Sequence, residues 1–279
     1  MGQADRQTLI ETSDLAACLA DADTLVFDCR FSLADPGAGR QKWQQDHIPG
    51  ARYADLNQDL SAPVIPGKTG RHPLPSPTHF CDWLARMGVS NHSKVVAYDE
   101  GSGTFAARLW WMLRWVGHSR VAVLNGGYNA WRAAGLAQSA EAPDIKPGNF
   151  LAGASLTRTL DADALPDADL LLLDARDEAR YLGREEPIDP VAGHIPGAIC
   201  APFSGNLTSA GLLQNRELLR ARFAALGAGN QPVACYCGSG VTATHNILAL
   251  VHAGFAEPAL YAGSWSEWIT DPGRPVETG

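Results

Sequence analysis

Apolar runs closed by short polar or glycine-bearing turns recur along the chain, and stretches with a helical apolar period lie between them. TLVFDCR (24–30), SKVVAYDE (93–100), VAVLNGG (121–127), DLLLLDAR (169–176) and the run ending at Tyr236 are nearly continuous in apolar residues, the pattern of strands buried on both faces. TFAARLWWMLRWVG (104–117), stopped by Gly117, and YNAWRAAGL (128–136) read as helices. A short helix is also expected within residues 7–22, with Thr12, Ser13 and Asp14 as candidate caps. Strands alternating with helices predict an α/β fold whose mostly parallel sheets are covered by helices, with ligand sites at the carboxyl ends of strands.

The order of these elements occurs twice. TLVFDCR is answered by DLLLLDAR, DHIPGA (46–51) by GHIPGA (193–198), VVAYDEGSG by VACYCGSG, and NGGYNAW by AGSWSEW. Asp28 and His47 are 19 positions apart, Asp174 and His194 20; Tyr98 and Trp131 are 33 apart, Tyr236 and Trp268 32. Two copies of one α/β domain account for this. AQSAEAPDIKPGNF (137–150) has no periodicity and reads as the joint, so the domains are placed at 1–138 and 151–279 with a linker at 139–150. Features that both copies share serve the fold more readily than a reaction, which assigns Asp28, Asp174, His47 and His194 to holding the HIPG turns. The first copy is longer by nine residues between its histidine and its tyrosine, most simply in the proline-rich stretch Asp55–Pro77 that contains Arg71-His72-Pro73-Leu74-Pro75.

At 279 residues there is length for two domains with separate cores. With 46% hydrophobic and 19% charged residues the composition is that of a globular protein, and a formal charge of −8 argues against nucleic acid or an anionic membrane as partner. An anionic substrate must then be drawn by a local cluster of arginines. Arg108 and Arg114 interrupt the tryptophan-rich helix, so it is no membrane span, and Trp110, Trp111 and Trp115 are expected in packing. The opening MGQADRQTLIETSD has no apolar run of a secretory leader, and Arg6 stands where a myristoylation signal on Gly2 needs Ser or Thr. Six unclustered cysteines read as reduced thiols of a cytoplasmic protein. No Cys/His set has metal-ligand spacing, so neither a metal nor a cofactor is expected.

The stretch PVACYCGSGVTATHNILALV (232–251) concentrates the candidate chemistry. A strand ends at Tyr236, Cys237 follows, and Gly238 and Gly240 precede an apolar helical pattern. Such a strand–loop–helix turn aims backbone N–H groups into a bowl and sets Cys237 at the positive end of a helix, where a thiolate is favoured. Cys235, inside the strand, is expected to be a packed thiol. A cysteine phosphatase closes this bowl with an arginine six positions after the cysteine; that position is Ala243, and no positive side chain lies between Cys237 and His245. Cys235-Tyr236-Cys237 is not a C-x-x-C dithiol either. Neutral N–H donors around a sulfur suit a small anion carried on the cysteine itself, a persulfide.

CGSGVTA, together with DHIPGARY, GRHPLP, LNGGYNAW, ARYLG, GHIPGA and YAGSWSEW, resembles the two-domain rhodanese-fold sulfurtransferases over nearly the whole chain, and specifically the 3-mercaptopyruvate sulfurtransferases. The resemblance implies tandem rhodanese-like domains, the first without the nucleophile because Asp99 stands where the second has Cys237. It implies transfer of a sulfane sulfur from mercaptopyruvate through a Cys237 persulfide to a thiol acceptor such as thioredoxin, or to cyanide. The alternatives are a thiosulfate donor, or a persulfide carrier that serves a biosynthetic partner. By the family match Cys237, Ser239 and His72 are the catalytic residues, with Gly238, Gly240, Val241, Thr242 and Arg180 contacting substrate. Ser239 and His72 form a relay that moves a proton onto the leaving carbon. The family's acidic third member falls in Asp55-Leu56-Asn57, where Asn57 leaves Asp55 or Asp59 to substitute.

Arg180 suits the donor's carboxylate, or else pairs with Glu178 or Glu185. A second family arginine falls at Asp189, with Arg184 near but not equivalent. Thiosulfate-using relatives place basic residues directly after the cysteine. Gly238 and Ser239 bring no charge there, which favours mercaptopyruvate.

Overall fold

The structure, a computed structural model, describes residues 8–165 and 169–279; Gly2 and Arg6, read above, lie outside them. Among the described residues, β1 (Leu9–Ile10), β2 (Thr24–Asp28), β3 (Arg52–Tyr53), β4 (Lys94–Tyr98) and β5 (Val121–Leu124) form one sheet. A second sheet holds β6 (Arg158–Leu160), β7 (Leu171–Asp174), β8 (Ile199–Cys200), β9 (Val233–Tyr236) and β10 (Ala259–Tyr261). The orders β1-β5-β4-β2-β3 and β6-β10-β9-β7-β8 correspond strand for strand, and every pairing is parallel. Even the register repeats: Asp28 lies opposite Tyr98 and Asp174 opposite Tyr236. Helices flank both sheets, and so the strands are apolar on both faces.

Each sheet has its own core, filled by equivalent side chains. Ile48, Ala51, Val96, Tyr98, Tyr128 and Trp131 pack together in the first, and Ile195, Ala198, Ala234, Tyr236, Trp265 and Trp268 in the second. The helix Thr104–Trp115 buries Trp110 and Trp111, and Trp111 stacks on Trp115 at 6.0 Å. The first helix spans Thr12–Cys18, and its cap position is Glu11, with no side-chain cap bond. Thr12, Ser13 and Asp14 are therefore first-turn residues rather than caps, because the chain enters the helix one residue earlier than its polar cluster suggests.

The carboxylates and histidines common to both halves tie each HIPG turn to its sheet. Asp28 accepts from the Arg30 N–H at 2.9 Å and from the Tyr98 hydroxyl at 2.7 Å, while the Tyr98 oxygen accepts from Ile48 N–H at 3.3 Å. In the second half Asp174 accepts from Arg176 N–H at 2.9 Å, and the Tyr236 oxygen from Ile195 N–H at 3.2 Å. His47 and His194 donate to the carbonyls of Trp43 and Tyr181. All four side chains are buried.

By its contacts the chain separates into two compact units. One contains residues up to Ala62, Pro75–Leu156 and Ser209–Leu212; the other contains Pro63–Leu74, Thr157–Thr208 and Leu213–Gly279. Residues 137–150 carry no helix or strand and pack within the first unit, through the reciprocal His47–Ser139 backbone pair and the Gly148 N–H on the Ala85 carbonyl. The stretch Asp55–Pro77, where the nine-residue excess of the first half is expected, includes the segment 63–74, which packs with the second unit.

Candidate active site

Cys237 follows β9 directly, and the helix Thr242–His252 begins five residues later. The turn between them is possible because Gly240 has φ +75°; a Cβ there would lie 2.3 Å from the Ala262 carbonyl oxygen. Cys237 is 2% exposed. Its backbone is held from one side by residues 263–266. The Cys237 N–H donates to Ser264 Oγ at 3.1 Å, the Trp265 N–H to the Cys237 carbonyl at 2.9 Å, and the Ser266 N–H to the Gly238 carbonyl at 2.9 Å. Cys235 is fully buried in the strand, where burial and then the neighbouring Cys237 push its thiol far above the ordinary value.

Ser264 itself has φ +56°, the left-handed region that costs a side-chain-bearing residue roughly 1–3 kcal/mol. Its hydroxyl donates to the Tyr261 carbonyl at 2.9 Å while it accepts from Cys237. The sequence did offer a signal for it: NGGYNAW has Gly127 where AGSWSEW has Ser264, and the two residues share a φ of +56° that favours glycine.

The segment 63–74 reaches the loop through the same residues 263–266. Gly70 approaches so closely that a Cβ would lie 2.5 Å from the Gly263 carbonyl, and the Arg71 N–H donates to Ser266 Oγ at 3.1 Å. This docking sets His72, 5% exposed, with Nδ1 2.7 Å from Ser239 Oγ. The two are 167 positions apart in sequence. The candidate third members, in contrast, serve their own turn in the first unit: Asp55 accepts from the N–H groups of Asn57 and Gln58, and Asp59 from that of Asp55.

Two guanidinium groups flank Gly238. Around the position a Cβ on Gly238 would take, Arg71 Nη2 lies at 2.8 Å and Arg180 Nη1 and Nη2 at 3.5 and 3.6 Å. A side chain at position 238 would therefore press on the end of Arg71. Gly238 and Ser239 bring no charge of their own, as expected, and the arginine cluster beside the loop includes Arg71, supplied from a distant part of the sequence. Arg180 pairs with neither Glu178 nor Glu185; its Nε and Nη2 form a fork on Glu186 at 2.8–3.1 Å, and Nη2 also reaches Asp189 at 3.1 Å. Asp189 binds Arg71 Nη1 through its other oxygen. Burial raises Glu186, but the hydrogen bonds and charge of Arg180 together with the N–H groups of Asp189 and Ile188 outweigh it and hold the carboxyl below its ordinary value. For Asp189 burial prevails over the pull of Arg71 and pushes the carboxyl up.

The equivalent loop of the first unit is built on the same backbone frame. Tyr128 and Asn129 donate to the carbonyls of Asp99 and Glu100 just as Trp265 and Ser266 do to Cys237 and Gly238. Here the bowl is filled from within: the Asp99 carboxylate accepts from the N–H groups of Gly101, Gly103, Phe105 and Ala106 at 2.9–3.5 Å. A cavity of about 670 Å³ lies over this loop, lined by Phe31, Glu100, Phe105, Asn129 and Leu212 among others. No cysteine is among its lining residues, so Cys237 and this cavity belong to different loops.

The rhodanese-like domain family matches residues 11–134 and again 159–271. A protein of Pseudomonas aeruginosa described as a probable 3-mercaptopyruvate sulfurtransferase is 52% identical over 278 residues, covering 97% of this chain and 98% of its own. The thiosulfate sulfurtransferase of Rattus norvegicus is 37% identical over 256 residues, covering 88% and 84%. Among solved structures, the 3-mercaptopyruvate sulfurtransferase from Leishmania major superposes with a TM-score of 0.85 at 31% identity, covering 96% of this chain and 75% of its own. With two matches end to end, two sheets of one topology and a cysteine loop on the second alone, the chain belongs to the rhodanese family as a tandem of rhodanese-like domains.

Proposed function

We infer that the protein is a sulfurtransferase that takes a sulfane sulfur from 3-mercaptopyruvate onto Cys237 and passes it to a thiol such as that of thioredoxin, or to cyanide. The Cys237 thiolate attacks the donor sulfur; the S–S bond forms as the C–S bond breaks, and the electron pair goes to C3, leaving pyruvate as its enolate. The proton of the donor thiol must then reach C3. Ser239, in the loop that begins at Cys237, and His72, in the segment 63–74, lie 2.7 Å apart and are the groups that move it. Arg180, assisted by the backbone of Gly238, Gly240, Val241 and Thr242, holds the donor beside the sulfur. The acceptor thiolate attacks the outer sulfur of Cys237–S–S⁻ and regenerates the Cys237 thiolate.

The Ser239–His72 bond is the single observation that carries this reading, since a donor that leaves as sulfite needs no proton on carbon. Thiosulfate is the second reading, supported by the two guanidinium groups beside Gly238. A cytoplasmic setting fits six free cysteines, and among the described residues no helix is long and apolar enough to cross a membrane. Intact mass after incubation with each donor, followed by peptide mapping, tests the function. One added sulfur on Cys237 from mercaptopyruvate is expected; modification of another cysteine, or of none, overturns it.

A further inference from the structure

Glu186 and Asp189 are each 4% exposed at the side chain, and between them they engage both guanidinium groups that flank Gly238. Glu186 also meets Arg176 at 3.6 Å, itself paired with Asp174 at 2.6 Å, so three positive and three negative charges form this group and it is neutral as a whole. Asp189 is the hinge of this arrangement, with one oxygen on Arg71 and the other on Arg180. Arg71 also has a buried Nε–H with no hydrogen-bond partner among the described residues, so its guanidinium keeps a donor that the ion pair with Asp189 does not use.

We propose that Arg71 and Asp189 select the donor: Arg71 adds a second guanidinium to the anion site of Arg180, and Asp189 cancels its charge so that a monoanionic carboxylate is preferred to a dianion. This rests on the sulfurtransferase reading and deepens it. The physical reason is that charge interactions scale with the product of the charges. Forks held by Glu186 and Asp189 still offer N–H groups to a carboxylate, which needs hydrogen-bond donors more than net charge. Thiosulfate carries two charges and leaves as sulfite, so it loses twice as much from each positive charge that is cancelled. The position that departs from the family arginine thus has a part of its own, and Arg71, brought by the segment 63–74, restores the second guanidinium.

The test compares kcat/KM for mercaptopyruvate and thiosulfate with cyanide as common acceptor. Asp189→Asn is expected to move the ratio toward thiosulfate by ~10-fold, and Arg71→Gln to move it the other way while raising KM for mercaptopyruvate ~10-fold with kcat changed less than about threefold. Asp189→Glu, which keeps the charge, is expected to keep the ratio within about twofold. Shifts of opposite sign are what a merely structural role does not produce. If both Asp189→Asn and Arg71→Gln lower the two donors by the same factor, the proposal is overturned.

Calorimetric titration of Cys237→Ala with pyruvate and with sulfate reads the anion preference without any sulfur transfer. Pyruvate is expected to bind more tightly than sulfate, and Asp189→Asn added to that background is expected to narrow or reverse the order. An unchanged order overturns the proposal. Absence of persulfide on Cys237 of the wild-type protein overturns the function, and the titration still decides the anion preference. Should Asp189→Asn fail to fold, Arg71→Gln carries the test, since the Arg71 side chain is 28% exposed.

Discussion

At the end of β4 the chain turns into a helix around a carboxylate, and at the end of β9 it makes the same turn around a thiol. Both loops run five residues from the last strand neighbour to the first helical residue, Asp99 to Thr104 and Cys237 to Thr242. Both are held by paired backbone bonds from the turn after the following strand. The first bowl spends its N–H groups on Asp99, so its polar groups are satisfied inside the protein and the loop is a self-contained cap. In the second, Cys237 stands at the equivalent position and places no carboxylate in the bowl. The two loops thus share a backbone frame and differ in the side chain at its head.

The largest effect expected of breaking this contrast is at the thiol. Cys237→Ser is expected to lower transfer from either donor by more than about 100-fold with the fold retained, whereas Cys235→Ser keeps substantial activity because that thiol is buried in the strand. Activity of Cys237→Ser above about a hundredth of wild type would falsify the persulfide mechanism.

At the first loop the reverse pattern is expected. Asp99→Ala strips the acceptor from several buried N–H groups at once and is expected to cost about 3 kcal/mol or more in urea unfolding, since each unsatisfied buried donor costs about 1–3 kcal/mol. Transfer by the remaining folded protein is expected to be unaffected. A change below about 1 kcal/mol means that the carboxylate does not hold the bowl.

The relay sharpens the comparison of donors. His72→Ala is expected to lower kcat with mercaptopyruvate by about 100-fold and to affect thiosulfate far less, because only mercaptopyruvate requires a proton on carbon. Equal losses with both donors, read from steady-state kinetics with cyanide, sink the relay and leave His72 a positioning group.

The smallest effect expected is at Ser264, where the reactive half carries a side chain and the first half has Gly127. Ser264→Gly relieves the strain of φ +56° and removes the acceptor of the Cys237 N–H, so stability is expected to stay within about 1 kcal/mol of wild type. The alkylation rate of Cys237 and the transfer rate are expected to fall by about three- to tenfold, the worth of one hydrogen bond. An unchanged alkylation rate shows that the hydroxyl does not position the thiol.

The sequence by itself determined the duplication, which half has the cysteine, and the strand–loop–helix turn that carries it. Each of these is written locally: an apolar run, a glycine-bearing turn and a helical period occupy consecutive residues, and a repeat is visible wherever it falls. The roles of Asp28, Asp174, His47 and His194 in their turns were legible for the same reason, since both copies show them. His72 and Ser239 were reached through the resemblance to a family, and their distance of 2.7 Å depends on a segment from the first half packing in the second unit. Arg71 was not legible as a neighbour of Gly238, and neither was the partner choice of Arg180. Charged side chains several bonds long pair with whatever the tertiary structure brings within reach, and sequence distance does not limit that reach. The same holds for Ser264, whose hydroxyl meets the Cys237 N–H where residues 263–266 are held by the cysteine loop on one side and by the segment 63–74 on the other. The loop and its chemistry are local facts, while the charge around the loop was decided by packing, because electrostatic surroundings are summed over space rather than along the chain.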